Sequence, residues 1–214
     1  MPNKPIVVLG TYAFAEEVVD LVADIGDLDV AAFAENRDKS RCDRPLLGRP
    51  VIWVDDLARY KDEYLAFCAI GTTHRKAYIQ QVAAMGFEFA TLIHPAATVL
   101  STARVGAGSL VGPGTVIASH TQVDHHVIIN RGCLVGHHTR IGAYSTISPG
   151  ANIAGRVTIG ERAYIAMGAV IVNDIQIGPS SMVGAGALVT RDVPERVQVL
   201  GVPAMIARED FDGY

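Results

Sequence analysis

The residues of this chain best suited to proton or metal chemistry are imidazoles gathered in one stretch: His120, His125, His126, His137 and His138. An imidazole takes or gives a proton near neutrality, which makes it the usual general base and a common zinc ligand. His120 and His125 are five apart, a spacing that suggests zinc, but His94 lies outside the repeat and the third histidine of an open, water-activating site is missing. No metal is therefore expected. His120 and His138 are eighteen apart, as are His126 and Tyr144. A second group of polar residues closes two strand-like runs. Glu35 and Asn36 end one, and Gly71, Thr72 and Thr73 end the other, the place where a parallel sheet offers contacts to ribose or base.

The elements that must position these groups fall into two halves with different periods. Up to residue 92 strand-like and helix-like segments alternate, which predicts βαβ units around a small parallel sheet. Ile6 to Gly10 is the first strand. Phe14, Val18, Leu21, Val22 and Ile25 form one helical stripe stopped by Gly26, and Val30 to Glu35 is the second strand. Leu46 to Trp53 is extended, Val54 to Tyr60 a short helix, Leu65 to Gly71 a third strand, and Arg75 to Met85 a helix ended by Gly86.

Beyond residue 92 the period becomes six. Every sixth position from Val99 to Val189 is Val or Ile, sixteen in succession, and four residues after each comes a residue that is nearly always small. A glycine follows the aliphatic residue at positions 106, 112, 136, 142, 160, 178 and 184. Three hexads closing one eighteen-residue coil explain this pattern: the aliphatic ladder points inward, small residues fill the corners and glycines supply the turn conformations. Ordinary strands would show a period of two. The expected architecture is an α/β N-terminal Rossmann-like domain over residues 1–92, a left-handed parallel β-helix of hexapeptide repeats over 93–206, and a tail over 207–214. Residues eighteen apart then sit on successive coils, about 4.8 Å apart. His120 lies beside His138, His126 beside Tyr144, and His137 between Ser119 and Gly155. A stack of two imidazoles resists carrying two protons.

Four segments, Ala69-Ile70-Gly71, Leu92-Ile93-His94-Pro95, Asn130 to Gly142 and Gly201-Val202-Pro203-Ala204, resemble those of the bacterial PglD/NeuD-type nucleotide-sugar N-acetyltransferases over essentially the whole chain. The resemblance implies an acetyl-CoA-dependent acetyltransferase and a homotrimer. Acetyl-CoA would lie along the solenoid between subunits, and the nucleotide-linked amino sugar would sit on an N-terminal domain. It further implies His137 as the general base that takes a proton from the sugar amine, Asn130 as a substrate contact, and Thr146, Gly155, Met167 and Ala185 as acetyl-CoA contacts. The sequence departs from the family in three places. His138 stands where the family has an acidic residue beside the base, and Thr146 where a second histidine often stands. The first βα turn reads Gly10-Thr11-Tyr12-Ala13-Phe14-Ala15 where the family has a glycine-rich turn; Gly10 and Thr11 are the expected nucleotide contacts, and Tyr12 and Phe14 are expected to obstruct the approach to the phosphates.

The same fold leaves other activities open: an O-acetyltransferase, a non-catalytic sugar-nucleotide-binding relative, or, on the His120 and His125 spacing, a zinc enzyme of the γ-carbonic anhydrase type. With a net charge of −4 and no basic run, nucleic acid is not an expected partner. No segment is long and apolar enough for a membrane span, and Cys42, Cys68 and Cys133 form no CxxC pair, so a cytoplasmic protein with buried thiols is expected.

Overall fold

The computed structural model describes residues 4–214. Two compact units are present: the chain up to Gly71 together with Arg75–His94, and Thr72–His74 together with Pro95–Tyr214.

In the first unit β1 (Ile6–Leu9), β2 (Val30–Glu35), β3 (Val51–Trp53) and β4 (Leu65–Cys68) form a parallel sheet in the order β3-β2-β1-β4. β1 is flanked on both sides and fully buried, hence its unbroken apolar run Ile6-Val7-Val8-Leu9. Helix α1 (Ala13–Ile25) ends at Gly26, whose φ of 81° and N–H bond to the Val22 carbonyl make a left-handed C-cap. Its buried face is Ala15, Val18, Leu21 and Val22, while Phe14 and Ile25 are only half-buried, so the expected stripe is shifted. The Val54–Tyr60 segment is a 3-10 helix rather than an α-helix, a conformation favoured when only one or two turns form. β4 stops at Cys68, not Gly71: the Ala69 amide still bonds the Leu9 carbonyl, but β1 ends there and offers no further partner. α2 spans Lys76–Ala84, and β5 is Leu92–Ile93.

The second unit is a left-handed parallel β-helix. Its regular part is a run of two-residue strands from β6 (Thr98–Val99) to β21 (Leu188–Val189), each beginning six residues after the last. Three faces result: β6-β9-β12-β15-β18-β21, β7-β10-β13-β16-β19, and β8-β11-β14-β17-β20, the last extended by β22 (Gln198–Leu200) and β23 (Met205–Arg208). The second residue of every strand from β8 to β22 is buried, and these side chains form one continuous core. At the inner corners hydroxyls stitch coil to coil. Thr115 Oγ1 donates to the Asn130 carbonyl at 2.7 Å and accepts from the Cys133 amide at 3.2 Å, and Ser109 and Ser145 repeat the pattern. Each such bond replaces water at a buried corner and contributes about 1 kcal/mol.

The glycines have two jobs, and the expected one belongs to a different set. Those after the aliphatic ladder are there for close approach: a Cβ on Gly136 would lie 2.4 Å from the Ala154 carbonyl carbon of the next coil. The left-handed turn positions fall two residues later in each hexad, from 108 to 186. They hold glycine at some corners and His120, His126, His138, Tyr144, Arg156, Arg162, Asp174 and Ser180 at others.

The segment 207–214 packs against the solenoid. Phe211 and Gly213 amides bond the Arg196 and Ser180 carbonyls, Arg162 pairs with Asp212, and the Tyr214 ring lies 4.3 Å from Tyr164. Among the described residues no helix is long and apolar enough to cross a membrane.

Candidate functional site

Each coil turns three corners, and the functional candidates divide among them. The corner after β12 (Leu134–Val135) carries His137 and His138. His138 occupies the left-handed turn position with φ 58°, and its amide donates to the Ser119 carbonyl at 2.9 Å. Its ring lies 4.8 Å from that of His120 on the preceding coil, the neighbour that eighteen-residue spacing predicts. His137 is exposed, stands edge-on to His138 at 85°, and meets it through Nδ1 at 3.1 Å. On its other side the His137 ring lies against Gly155, where a Cβ would approach Cε1 and Nε2 to 2.7 Å. The Gly155 amide is held by Asn173 Oδ1 at 2.9 Å. An exposed imidazole with one ring nitrogen engaged by a neighbour suits a general base.

Asn130, Met167 and Ala185 lie at the corner before β12, so β12 separates them from His137 within one chain. Asn130 Oδ1 accepts from the Arg131 amide at 2.8 Å, so its side-chain oxygen braces its own turn. Met167 is 60% exposed and stands one coil from Ala185, which is also exposed. At this corner every left-handed position is glycine, and a Cβ added to Gly132, Gly150, Gly168 or Gly186 would meet nothing within 4 Å. Thr146 departs from expectation. It is on β14 (Thr146–Ile147), the face opposite the His137 corner, and only 4% exposed, so it cannot touch a ligand held at His137 of the same chain.

His125 bonds Asp124 at 2.7 Å and lies at the next corner with His126, whose ring stacks on Tyr144 at 5.4 Å. His120 and His125 therefore stand at different corners of the chain. Among the described residues no three metal-ligating groups converge. Burial pushes the Cys68 thiol up to about 12 and the Cys133 thiol to about 11, so neither is a ready nucleophile.

At the carboxyl end of the small sheet, Gly10 has φ 113° and passes close to Ala69 and Ile70, which explains the glycine there. Thr11 and Glu35 are brought together but not toward a ligand. Glu35 is 2% exposed. One carboxylate oxygen accepts from the Thr11 hydroxyl, the other from the amides of Asn36, Arg37 and Asp38. Burial raises the Glu35 carboxyl, and these donors together outweigh it and hold it below the usual carboxylate range. Its role is to order the turn. Thr73 is likewise consumed: its hydroxyl donates to the Tyr214 carbonyl at 3.0 Å and accepts from the Tyr214 amide at 2.9 Å. The expected direct contacts from Glu35 and Thr73 are corrected accordingly, while Asn36, Gly71 and Thr72 remain partly accessible.

Tyr12 does not close the first turn, because its ring is turned outward under the Arg41 guanidinium, 4.3 Å from the ring centre. Arg41 also donates to the Thr11 hydroxyl at 2.7 Å and carbonyl at 2.6 Å. Arg41 and Arg44, with Thr11, Pro45, Leu46 and Val51, line an open pocket of about 210 Å³. Sequence reasoning missed these arginines. The signal was present in Arg37, Lys39, Arg41 and Arg44, a basic cluster directly after the second strand.

Comparison with known proteins adds an independent line. The family described as bacterial transferase hexapeptide (six repeats) matches residues 138–173 and again 156–191. No curated protein sequence matches the chain. Among solved structures, a variant of perosamine N-acetyltransferase from Caulobacter crescentus in complex with CoA and GDP-perosamine is 32% identical. The match covers 96% of this chain and 97% of that one with a TM-score of 0.89. The acetyltransferase domain of PglB from Neisseria gonorrhoeae in complex with acetyl coenzyme A is 30% identical, with coverage of 95% and 99% and a TM-score of 0.85. WeeI from Acinetobacter baumannii AYE is 30% identical, with coverage of 95% and 100% and a TM-score of 0.86.

Proposed function

Because the chain belongs to the hexapeptide-repeat nucleotide-sugar N-acetyltransferases, we propose that it transfers the acetyl group of acetyl-CoA to the amino group of a nucleotide-linked amino sugar, with His137 as general base. The observation that carries this reading is the exposed His137 ring, braced at Nδ1 by His138 and roofed by a glycine. His137 would take the proton that the amine sheds as its nitrogen bonds the acetyl carbon, a role for which a neutral imidazole is suited, and as the C–S bond breaks CoA would leave with its sulfur taking up a proton. The donor supplies an activated thioester. Met167 and Ala185, beside a backbone edge bare of side chains, fit a ligand laid along the solenoid, and Gly155 keeps the roof of His137 thin.

These contacts sit at two different corners, which a donor bound between copies of the chain would bring together. Outward on this face between those corners, Val116, Leu134 and Val170 are apolar and exposed, with Asn152 between the last two, which supports a homotrimer closed along it. A neighbour's Asn130 would then come near His137 across the interface. The small sheet, read as Rossmann-like, would hold the nucleotide at its carboxyl edge by Gly10, Asn36, Gly71 and Thr72, with Arg41 and Arg44 as cations for phosphate. Unpaired thiols suit a reducing, cytoplasmic setting.

The test is thiol release from acetyl-CoA against UDP-, GDP- and dTDP-linked amino sugars and their hydroxyl counterparts. Release with an amino sugar alone is expected. Release with the hydroxyl sugar would make the protein an O-acetyltransferase, and none from the whole panel would overturn the reading.

A further inference from the structure

We propose that His138 is a positioning residue that fixes the tautomer of His137, so that a single proton added to the two-imidazole pair silences the site. This rests on the reading of His137 as the base. The two Nδ1 atoms are 3.1 Å apart, so one must carry the hydrogen and the other must accept it. When His137 donates, its Nε2 keeps a free lone pair and can take the amine proton. When His138 donates, the hydrogen of His137 resides on Nε2 and no base remains.

The first arrangement is the one proposed, and the turn itself sets where His138 stands. Its φ of 58°, the amide bond to Ser119 and the tilted His120 ring 4.8 Å away hold its ring beside His137, where an Nδ1 without hydrogen accepts from His137. The charged groups around the pair come from the neighbouring coils. His120 lies on the preceding coil, Arg156 on the following one, and Asp174 on the one beyond. Arg156 and Asp174 neutralise each other through bonds of 2.6 and 2.7 Å. Asp174 also senses His137 by its charge. No carboxylate bonds either imidazole of the pair among the described hydrogen bonds.

A carboxylate in place of His138 would accept from Nδ1 at any working pH and would favour the protonated form of His137. An imidazole accepts only while neutral. Once protonated, His138 has only N–H groups to offer, so it either forces His137 into the idle tautomer or turns away and leaves it unbraced. Activity is then lost when either ring gains a proton.

The experiment is kcat and KM against pH by thiol release for the full-length wild type and for His138→Gln, His138→Glu and His138→Ala. Protonation of the acceptor amine contributes one limb common to all four proteins, so differences between them report the pair. In His138→Gln a non-titrating amide oxygen replaces Nδ1, and the acidic limb of kcat should move to lower pH. In His138→Glu it should move to higher pH by about one unit, as an opposite charge near an imidazole dictates. His138→Ala should lower kcat by about tenfold to a hundredfold with little change in KM, the scale on which the outer partner of a working imidazole is felt.

Limbs that coincide in the Gln, Glu and wild-type proteins would overturn the proposal and leave His138 as packing. A rise in KM with kcat unchanged would overturn it in favour of substrate contact. The base assignment fails separately: His137→Ala with undiminished turnover would remove it whatever the limbs of the His138 variants do.

Discussion

Five coils stack His120, His138, Arg156 and Asp174 above Thr102 at the corner after β12, and Gly114, Gly132, Gly150, Gly168 and Gly186 at the corner before it. The φ values are 58–66° at the four residues above Thr102 and 64–69° at the glycine corner. Backbone conformation therefore does not choose glycine here, since side chains as large as histidine and arginine adopt the same φ within the same solenoid. The difference lies outside the backbone. At the first corner side chains stack on one another and build a reactive group. At the second a Cβ would stand in open space, so what the glycines preserve is access for whatever lies against that edge. One corner supplies chemistry and the other clearance.

The comparison can be broken most sharply at glycines that face backbone. Gly136→Ala would drive a Cβ to 2.4–2.6 Å from Ala154 and Gly155 backbone atoms, and a destabilisation of about 3 kcal/mol is expected in a denaturation midpoint. Gly155→Ala is the next test. The nearest atoms to its Cβ belong to the His137 ring, which can swing away. The thermal midpoint should therefore hold, while turnover falls by about a hundredfold because the base has moved. A fall in stability with turnover preserved would mean that the ring position at Gly155 does not matter. The smallest effect on folding belongs to Gly150→Ala or Gly168→Ala, about 1 kcal/mol from left-handed strain alone. At Gly168, beside Met167, KM for acetyl-CoA should nevertheless rise. Unchanged KM there would remove the reading of that corner as a ligand track.

Much of this was legible before any coordinates. The aliphatic ladder from Val99 to Val189 fixes the period, and arithmetic modulo eighteen then places His138 on His120 and Tyr144 on His126, both of which the structure shows. Read as a short motif, without that arithmetic, the segment from Asn130 hides that its residues belong to different corners. Asn130 and His137 are close in sequence yet lie at opposite ends of β12, and Thr146 lies on the face opposite the His137 corner. Sequence motifs also do not say whether a polar side chain is already occupied. Glu35 sits at a strand end that suits ribose but spends its oxygens on four donors of its own chain, and Thr73 is bound by the C-terminal Tyr214. Both outcomes depend on hydrogen bonds formed only after folding. The pairing of Arg41 with Thr11 and Tyr12 escaped notice for the same reason: thirty residues separate partners that the sheet brings together.

The central claim is that His137 takes the amine proton during acetyl transfer, and turnover of His137→Ala tests it most directly. With a circular dichroism spectrum and an acetyl-CoA affinity like those of the wild type, kcat should fall by about two to four orders of magnitude, the contribution of a lost general base. Turnover within severalfold of wild type, with the same acceptor and product, would contradict the account.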